Sequence, residues 1–565
     1  MSRARLGALA LVSVVVVFAP GSPVLAQEAP AERVLVFLVP GVSFDELLGH
    51  RDVARLATSG GAALMRLQGG LPTTDEPGPH AEDPRVRYRW IDPRGRALDE
   101  VVTEIVEVVG SAAAGRLMVV VASTTPSPAM LAAKDEMHPV VMASGDPVGL
   151  LPEQVAPRSL TSDSTRRSGV VSDLDVGPTI AGFLGIERSD ESAGAAMRPV
   201  DEAAPFDLHE RYLGQRRIYV PVGVAAALYV VGVGLLALAI TLRPAVVRAE
   251  WRRVVGWATL SVAMLAVGLL AAGHLPELTY ASAVPLVAIV SVFGTLAFSP
   301  LDRRDPTLVV AGIGLAVIAF LVAEAALGWS AMLTPLLGAS ELDGARFFGM
   351  PNIVIGLLVG ACLWVAQRLS TAQGVGLLCA AGLFAGLPFI GSDLGGAVTA
   401  FATAGMWLAI RHRERLGVVR GLAAVVVLTV AGTAVVLVAH AISPFETHVT
   451  RFERTASGLG SVLETIGDRL RIGLDLVTSH PASLVPVAGL PILLLVALRP
   501  PPAIRSTFER RPAWRDAVVV TALAGMVAVL ANDTGPAAGG LAFGLGLGGM
   551  LGVSLLAGAG KMETS

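Results

Sequence analysis

Cysteine is nearly absent from this chain: Cys362 and Cys379 are the only two in 565 residues, and both sit inside apolar stretches. No disulfide can staple the N-terminal third, and that region has no cysteine for a metal site or a nucleophile. Lysine is equally scarce (Lys134 and Lys561), so arginine carries almost all the positive charge. Charged residues are only 16% of the chain and hydrophobic ones 53%, which excludes one soluble globule. No basic patch marks a nucleic-acid partner. No internal repeat is found, so an inverted-repeat transporter gains no support.

What the chain does have is ordered along its length. Arg3 and Arg5 precede an apolar run at 6–19, Pro20 and Gly21 break it, and Val24, Leu25 and Ala26 offer small residues for cleavage before Gln27. This pattern predicts a secretory signal peptide over 1–26, with a retained anchor as the alternative. Either one places residue 27 onward outside the cytoplasm.

Residues 27–215 are expected to form an extracytoplasmic α/β domain. The run RVLVFLV at 33–39 has the continuous apolar, β-branched character of a buried parallel strand; RLMVVVA at 116–122 and PVVMA at 139–143 repeat it. Helical spacing covers 45–59 and 98–109, and 68–89 is rich in Pro, Gly and acids, as a loop would be. The alternation predicts a mainly parallel sheet with helices on both faces.

Residues 216–565 are expected to form an all-α polytopic membrane domain of about eleven helices, near 219–242, 254–272, 281–299, 307–327, 353–367, 373–390, 394–410, 421–442, 483–498, 516–531 and 537–557. Two of these are short, so one can be re-entrant. If the first helix runs inward, seventeen basic residues fall in the cytoplasmic loops and tail. Five fall outside: Arg346, Arg451, Arg454, Arg469 and Arg471. That asymmetry obeys the positive-inside rule, and Arg216 and Arg217 run against it. In the long loop after 442, apolar residues at helical spacing over 459–477 predict an amphipathic helix, lying on the membrane or packed on the α/β domain.

Two segments of the α/β domain resemble the alkaline phosphatase superfamily, which includes sulfatases, phosphodiesterases and phosphoethanolamine transferases. VFLVPGVSFDELL (36–48) is similar to the superfamily's opening strand and metal-binding turn. LTSDSTRRSGVVSDLDVGPTIAGFLGI (160–186), with its D-x-x-P-T core of Asp175, Pro178 and Thr179, is similar to the segment that closes many such domains. That chemistry needs hard oxygen and imidazole ligands around a divalent ion. Where the family places an Asp after the first strand, this chain has Val39, Pro40 and Gly41. Where the family has Ser-Asp-His or Ser-Asp, it has Ser123, Thr124, Thr125 and Pro126. Only His80 and His138 lie in the core of the domain, with His50 near its first helix. Thr73 and Thr74 fit a nucleophile loop or a simple turn. The departures imply a reduced, degenerate domain without metal or cofactor, which binds or scaffolds and does not hydrolyse.

The order of modules resembles the ethanolamine-phosphate transferases of GPI-anchor assembly. It also resembles a group of uncharacterised bacterial polytopic envelope proteins, in which similar polar membrane motifs accompany such a domain. The motifs here are GARFFGMPN (344–352), GSDLGGAV (391–398), PFETHVTRF (444–452) and NDTG (532–535). The bacterial group implies an acid after the asparagine of the first motif, and Ile353 stands there instead.

These motifs fall at outer helix ends, where polar groups near lipid must pair with each other, water or a ligand. His448 suits a general base, Arg346 a two-pronged anion contact, and Asp533 a cation or helix-orienting role; these three are the candidate catalytic residues. Arg451, Asn352, Asp393 and Asn532 are candidate substrate contacts. Asp393 and Asp533 equally suit plain helix N-caps, Arg346 a structural pair with Asp343 or Asp393, and His448 and Arg451 an interfacial loop. Glu324 and His440 are expected to snorkel near outer helix ends.

The leading expectation is a multi-pass cell-membrane protein that handles a lipid-linked or anionic envelope substrate at the outer face. If it is an enzyme, it is a glycosyl- or phosphoryl-group transferase of the outer leaflet. The alternatives are a transporter or flippase of an envelope precursor and a scaffold for an envelope protein partner.

Overall fold

The structure is a computed structural model that describes residues 32–72, 78–93, 96–112, 115–187, 194–338, 340–343, 348–443, 483–532 and 534–560, with positions 467, 471, 474, 475 and 478. The signal segment at 1–26 lies outside these residues. So does the amphipathic helix expected over 459–477, apart from 467, 471, 474 and 475, all four of which are helical.

The N-terminal part is a mixed α/β sheet domain. Its strands are β1 (Arg33–Leu38), β2 (Gly61–Arg66), β3 (Val86–Trp90), β4 (Leu117–Ala122), β5 (His138–Gly145), β6 (Arg158–Thr161), β7 (Val170–Ser172) and β8 (Arg198–Ala203). They run in the order β3-β1-β4-β5-β2-β6-β8, with β7 also paired to β2. Side chains alternate across the sheet. Phe37 and Val39 meet α1 (Phe44–Gly49), α2 (Arg51–Ser59) and α3 (Leu98–Gly110) on one face. Val34, Val36 and Leu38 meet another helix, 176–184, on the other.

The sheet is not mainly parallel, as the sequence suggested. The pairs β1–β3, β1–β4, β2–β6 and β2–β7 are parallel, while β4–β5, β2–β5 and β6–β8 are antiparallel. The reason lies between β4 and β5. The only helix there, α4 (Pro128–Ala133), has six residues, about 9 Å of rise. It is too short to return the chain along a six-residue strand of roughly 20 Å. The chain therefore enters β5 from the near end. His50 also divides the single expected helix over 45–59 into two, capping α2 with an Nδ1 contact from Asp52 N–H at 3.3 Å.

After α5 (Val176–Leu184), the chain enters α6 (Phe206–Leu242), 37 residues long. The boundary expected at 215 falls inside it. Its first turns belong to the domain: Leu208 and Tyr212 are in the sheet's helical core, and Phe206 stacks edge-on against Phe44 at 5.3 Å. His209 sits between Asp135 (2.9 Å) and Asp45 (3.4 Å). The remainder is the first apolar span.

The other helices are α7 (Ala249–Ala271), α8 (Tyr280–Leu296), α9 (Ser299–Asp302), α10 (Pro306–Ala326), α11 (Val354–Ala366), α12 (Thr371–Gly386), α13 (Leu394–Arg411), α14 (Arg413–Ala441), α15 (Leu484–Leu498), α16 (Pro502–Arg510), α17 (Pro512–Ala531) and α18 (Gly535–Gly560). Among the described residues, eight helices are long and apolar enough to cross a bilayer: α6, α7, α8 continued by α9, α10, α13, α14, α17 and α18. This fits a multi-pass membrane protein. The other three apolar stretches are shorter elements: α11, α12 and the pair α15–α16, which bends by 68°. At 13 residues α11 rises about 20 Å, short of a hydrocarbon core of about 30 Å.

The helices pack by close approach, as lipid-embedded bundles do. A Cβ on Gly356 of α11 would lie 2.0 Å from the Ala538 carbonyl of α18, so only glycine fits. The α6 and α14 faces expose Leu228, Leu235, Val426 and Val430, the surface expected against acyl chains. Glu324 and His440 do not snorkel. Glu324 is buried, contacts His274 and accepts from Ala331 N–H at 3.2 Å. His440 is buried with Nε2 2.9 Å from the Gly386 carbonyl oxygen. Intramembrane partners made the long reach to water unnecessary.

Candidate functional site

The α/β domain sits on one end of the bundle, where Leu333 and Leu342 join its apolar core and one loop supplies the polar contacts followed here. Residues 162–169 join β6 to β7 and read Ser-Asp-Ser-Thr-Arg-Arg-Ser-Gly. The loop is shaped from below by Asp175, which is fully buried. Its carboxylate accepts from Ser162 Oγ (2.7 Å), Ser164 Oγ (2.6 Å), Ser172 N–H (2.9 Å) and Ala195 N–H (2.8 Å). Burial pushes its pKa up, against those four hydrogen bonds, which pull it down. Thr179 continues the network, donating to the Asp175 carbonyl and accepting from Met197 N–H. The D-x-x-P-T segment thus works here as the foundation of a loop.

The loop delivers two arginines. Arg167 is buried; its guanidinium donates to the Gly328 and Trp329 carbonyls and to Glu341 Oε2 at 2.7 Å. Arg166, in a left-handed turn at φ 53°, donates to the Pro388 carbonyl at 2.6 Å and lies 4.6 Å over the Phe348 ring. Arg167 reaches the same ring at 5.8 Å. Burial lowers the Arg166 pKa to about 10. A desolvated guanidinium stacked on an aromatic face is suited to planar anions.

The receiving surface is the turn 387–393 between α12 and α13, where the carbonyls of neighbouring segments are used in series. Gly386 contacts His440, Pro388 accepts from Arg166, Ile390 from Trp329 Nε1 at 2.7 Å, and Gly391 from Met350 N–H at 2.7 Å. Gly349, at φ 114°, comes so near that a Cβ there would lie 2.1 Å from the Gly391 oxygen.

Three of the candidate residues are described, and two converge. Asp393 occupies the N-cap position of α13 but makes no capping hydrogen bond with its side chain. Asn532, at the end of α17, donates Nδ2 to the Ala528 carbonyl (3.0 Å) and Thr399 Oγ1 (3.4 Å). A Cβ on Gly395 would meet Asn532 Oδ1 at 2.6 Å, and one on Gly396 would meet Asp393 Oδ2 at 2.4 Å. Both polar heads therefore lie on the first turn of α13, each 3% exposed. Asn532 Oδ1 has no hydrogen-bond partner among the described residues. Asn352 lies half-buried in the turn before α11, near the 349–350 contact with Gly391. Arg346, His448, Arg451 and Asp533 lie outside the described residues, as do Thr73 and Thr74.

Sequence reasoning missed Arg166 and Arg167 as site residues, although it quoted the segment that holds them. The signal was an adjacent arginine pair inside a Ser/Thr-rich loop and, far along the chain, the isolated acid Glu341.

The segments compared with the superfamily, after β1 and after β4, lie side by side. The ends of the adjacent parallel strands β1 and β4 meet through Gly41 N–H to the Thr125 carbonyl at 2.8 Å, beside buried Ser123 and Thr124. Among the described residues no three His, Cys, Asp or Glu side chains converge as metal ligands would. His138 opens β5, buried, with Nδ1 lacking a hydrogen-bond partner among the described residues. His80 stands 4.0 Å from Glu82.

Comparisons with family models, with curated proteins and with solved structures find no match to this chain.

Proposed function

We propose that this chain is a multi-pass envelope membrane protein whose extracytoplasmic, reduced phosphatase-like domain is a non-catalytic cover. In this reading the seam between domain and helices handles an anionic or lipid-linked envelope substrate at the outer leaflet. One observation carries it: Arg166, stacked on Phe348, borders the same 387–393 turn that leads into the Asp393–Asn532 cluster. A cation on an aromatic plate beside buried polar heads suits recognition of a phosphate or carboxylate headgroup. The non-catalytic character of the domain is supported by the β1–β4 corner, which offers Val39, Pro40, Gly41, Ser123 and Thr124 in place of acids and imidazoles.

The test is a photo-crosslinking residue at Phe348 in the full-length chain in cells, with mass spectrometry of what is captured. An anionic lipid-linked adduct that diminishes at least tenfold in Arg166→Gln is expected. Capture of bulk phospholipid alone, or an adduct unchanged in Arg166→Gln, would remove the seam as the site. A scaffold for an envelope protein partner is the second reading. It expects a protein adduct from the same position.

A further inference from the structure

Where the sheet domain meets the first membrane helix, one histidine is held between two acids. His209, in the first turn of α6, is buried; its Nε2 lies 2.9 Å from Asp135 Oδ2 and its Nδ1 3.4 Å from Asp45 Oδ2. The acids differ in their surroundings. Asp135, between α4 and β5, is buried, and its other oxygen accepts from Met137 N–H at 3.1 Å. Asp45, on α1, has a side chain 56% exposed. The Phe44 ring of α1 packs on the same imidazole, with centroids 5.4 Å apart. Three elements thus meet on a single side chain.

An imidazole serves two carboxylates only while it carries its extra proton. The cation donates from both nitrogens, whereas the neutral ring has one N–H and one lone pair. Asp135, buried, keeps the Nε2 N–H. The Nδ1 lone pair then faces the Asp45 carboxylate, and an attraction becomes a repulsion between two acceptors. Asp45 reaches water and can swing away from the ring, which frees α1 from α6. The other charged groups nearby do not take over. Asp207, Glu210 and Lys134 are exposed, Glu46 accepts from Ser43 Oγ at 2.8 Å, and Glu136 pairs with Arg66 at 2.5 Å and Arg216 at 3.5 Å. Arg211, on α6 itself, has Asp207 as its nearest charge. Leu333 and Leu342, from the membrane half, carry no charge.

His209 stands before the apolar part of α6. Burial pushes its pKa down, but the hydrogen bond to Asp135 and the charges of Asp135 and Asp45 outweigh it, so the value lies above the ordinary 6.5. With the folded-state pKa raised, the stabilisation is complete below pH 6.5 and is lost as pH rises through the folded value. We infer that Asp45, His209 and Asp135 form an alkaline-sensitive clamp, which ties α1 of the sheet domain to the membrane rod α6 while the imidazole is charged and releases it when the proton leaves. The inference is independent of what the seam at Arg166 binds.

Hydrogen exchange of the full-length protein in micelles, corrected for the intrinsic pH dependence of exchange, tests the clamp from about pH 6 to about pH 9.5. Protection of residues 44–49 and 206–212 is expected to fall at least tenfold across that range, while β4 keeps its protection. Asp45→Asn, a change at an exposed side chain, gives Nδ1 an amide that can donate to the neutral ring, and should hold the protection nearly level. His209→Gln, which never carries the charge, should show the low value at both ends. Level protection in the wild type, or an equal fall in both variants, would overturn the clamp. Loss of protection in β4 together with α1 would also overturn it, because the event would then be unfolding of the whole domain.

Discussion

Arg167 Nη2 of the α/β domain lies 2.7 Å from Glu341 Oε2 of the membrane half, with the two side chains 9% and 6% exposed. This is the one ion pair among the described residues that joins the two parts while excluding water from both partners. Removing one member of a buried pair strands the other, at a cost of about 3–5 kcal/mol.

Arg167→Ala is therefore expected to loosen the domain from the bundle. Limited proteolysis of the full-length protein should show faster cleavage in the 162–169 loop and a lower unfolding midpoint. The double change Arg167→Met with Glu341→Leu should recover most of that loss, because a matched apolar pair replaces the charges.

Asp175→Ala removes the acceptor of four hydrogen bonds without supplying another. A loss on the order of 3 kcal/mol is expected, from donors left buried and unpaired. The effect should reach Arg166 and Arg167 through the loop, so the Phe348 crosslink should fall together with stability. Asp175→Asn, which keeps part of the acceptor set, should lie between the two.

His138 gives a dependence on pH. Burial lowers its pKa to about 4 from an ordinary 6.5, with Asp135 and Glu136 pulling it upward and Arg66 downward. The folded state binds its proton later than the unfolded chain does, so the stability it contributes is complete above pH 6.5. That contribution falls as pH drops from 6.5 towards 4 and is gone below. Unfolding midpoints across this window should decline less steeply in His138→Leu than in the wild type. Parallel slopes would mean that the imidazole stays accessible to protons.

Orientation is open to chemical labelling. With Cys362 and Cys379 replaced by alanine, a cysteine at Val148, 91% exposed on the α/β domain, should react with an impermeant maleimide in intact cells. One at Glu414, exposed at the far end of the bundle, should react only after permeabilisation. The reverse result would invert the membrane topology.

Gly356→Val should prevent α11 from seating on α18, since the added atoms would overlap the Ala538 carbonyl. Overpacking of this kind costs about 1–3 kcal/mol or more. Yield of folded protein after detergent extraction is the readout.

The parts of the fold that the sequence made legible were those where burial is uniform. β1 from Val34 onward and β4 are covered on both faces, so those positions are all apolar and the strands stand out. β2 begins Gly-Ala-Ala and β8 reads Arg-Pro-Val-Asp-Glu-Ala; one is masked by small residues, the other is a charged edge, and neither gives a period. The apolar stretches were legible from hydropathy alone, but their ability to span was not, because length and bending depend on neighbours such as α18. Asp393 and Asn532 were legible as polar residues where few belong, and both lie on the first turn of α13. The Arg167–Glu341 pair was not, because its partners are 174 positions apart and no local pattern records that distance.

The continuity of α6 has a mechanical meaning. Its first turns are clamped by Phe44, Asp45 and Asp135 of the sheet domain, and its last turns reach Leu242 at the opposite end of the bundle. Any rocking of the domain would therefore be carried as a torque along one rod to Thr241 at the opposite end of the bundle, with the missing hydrogen bond at Pro221 as a compliant joint.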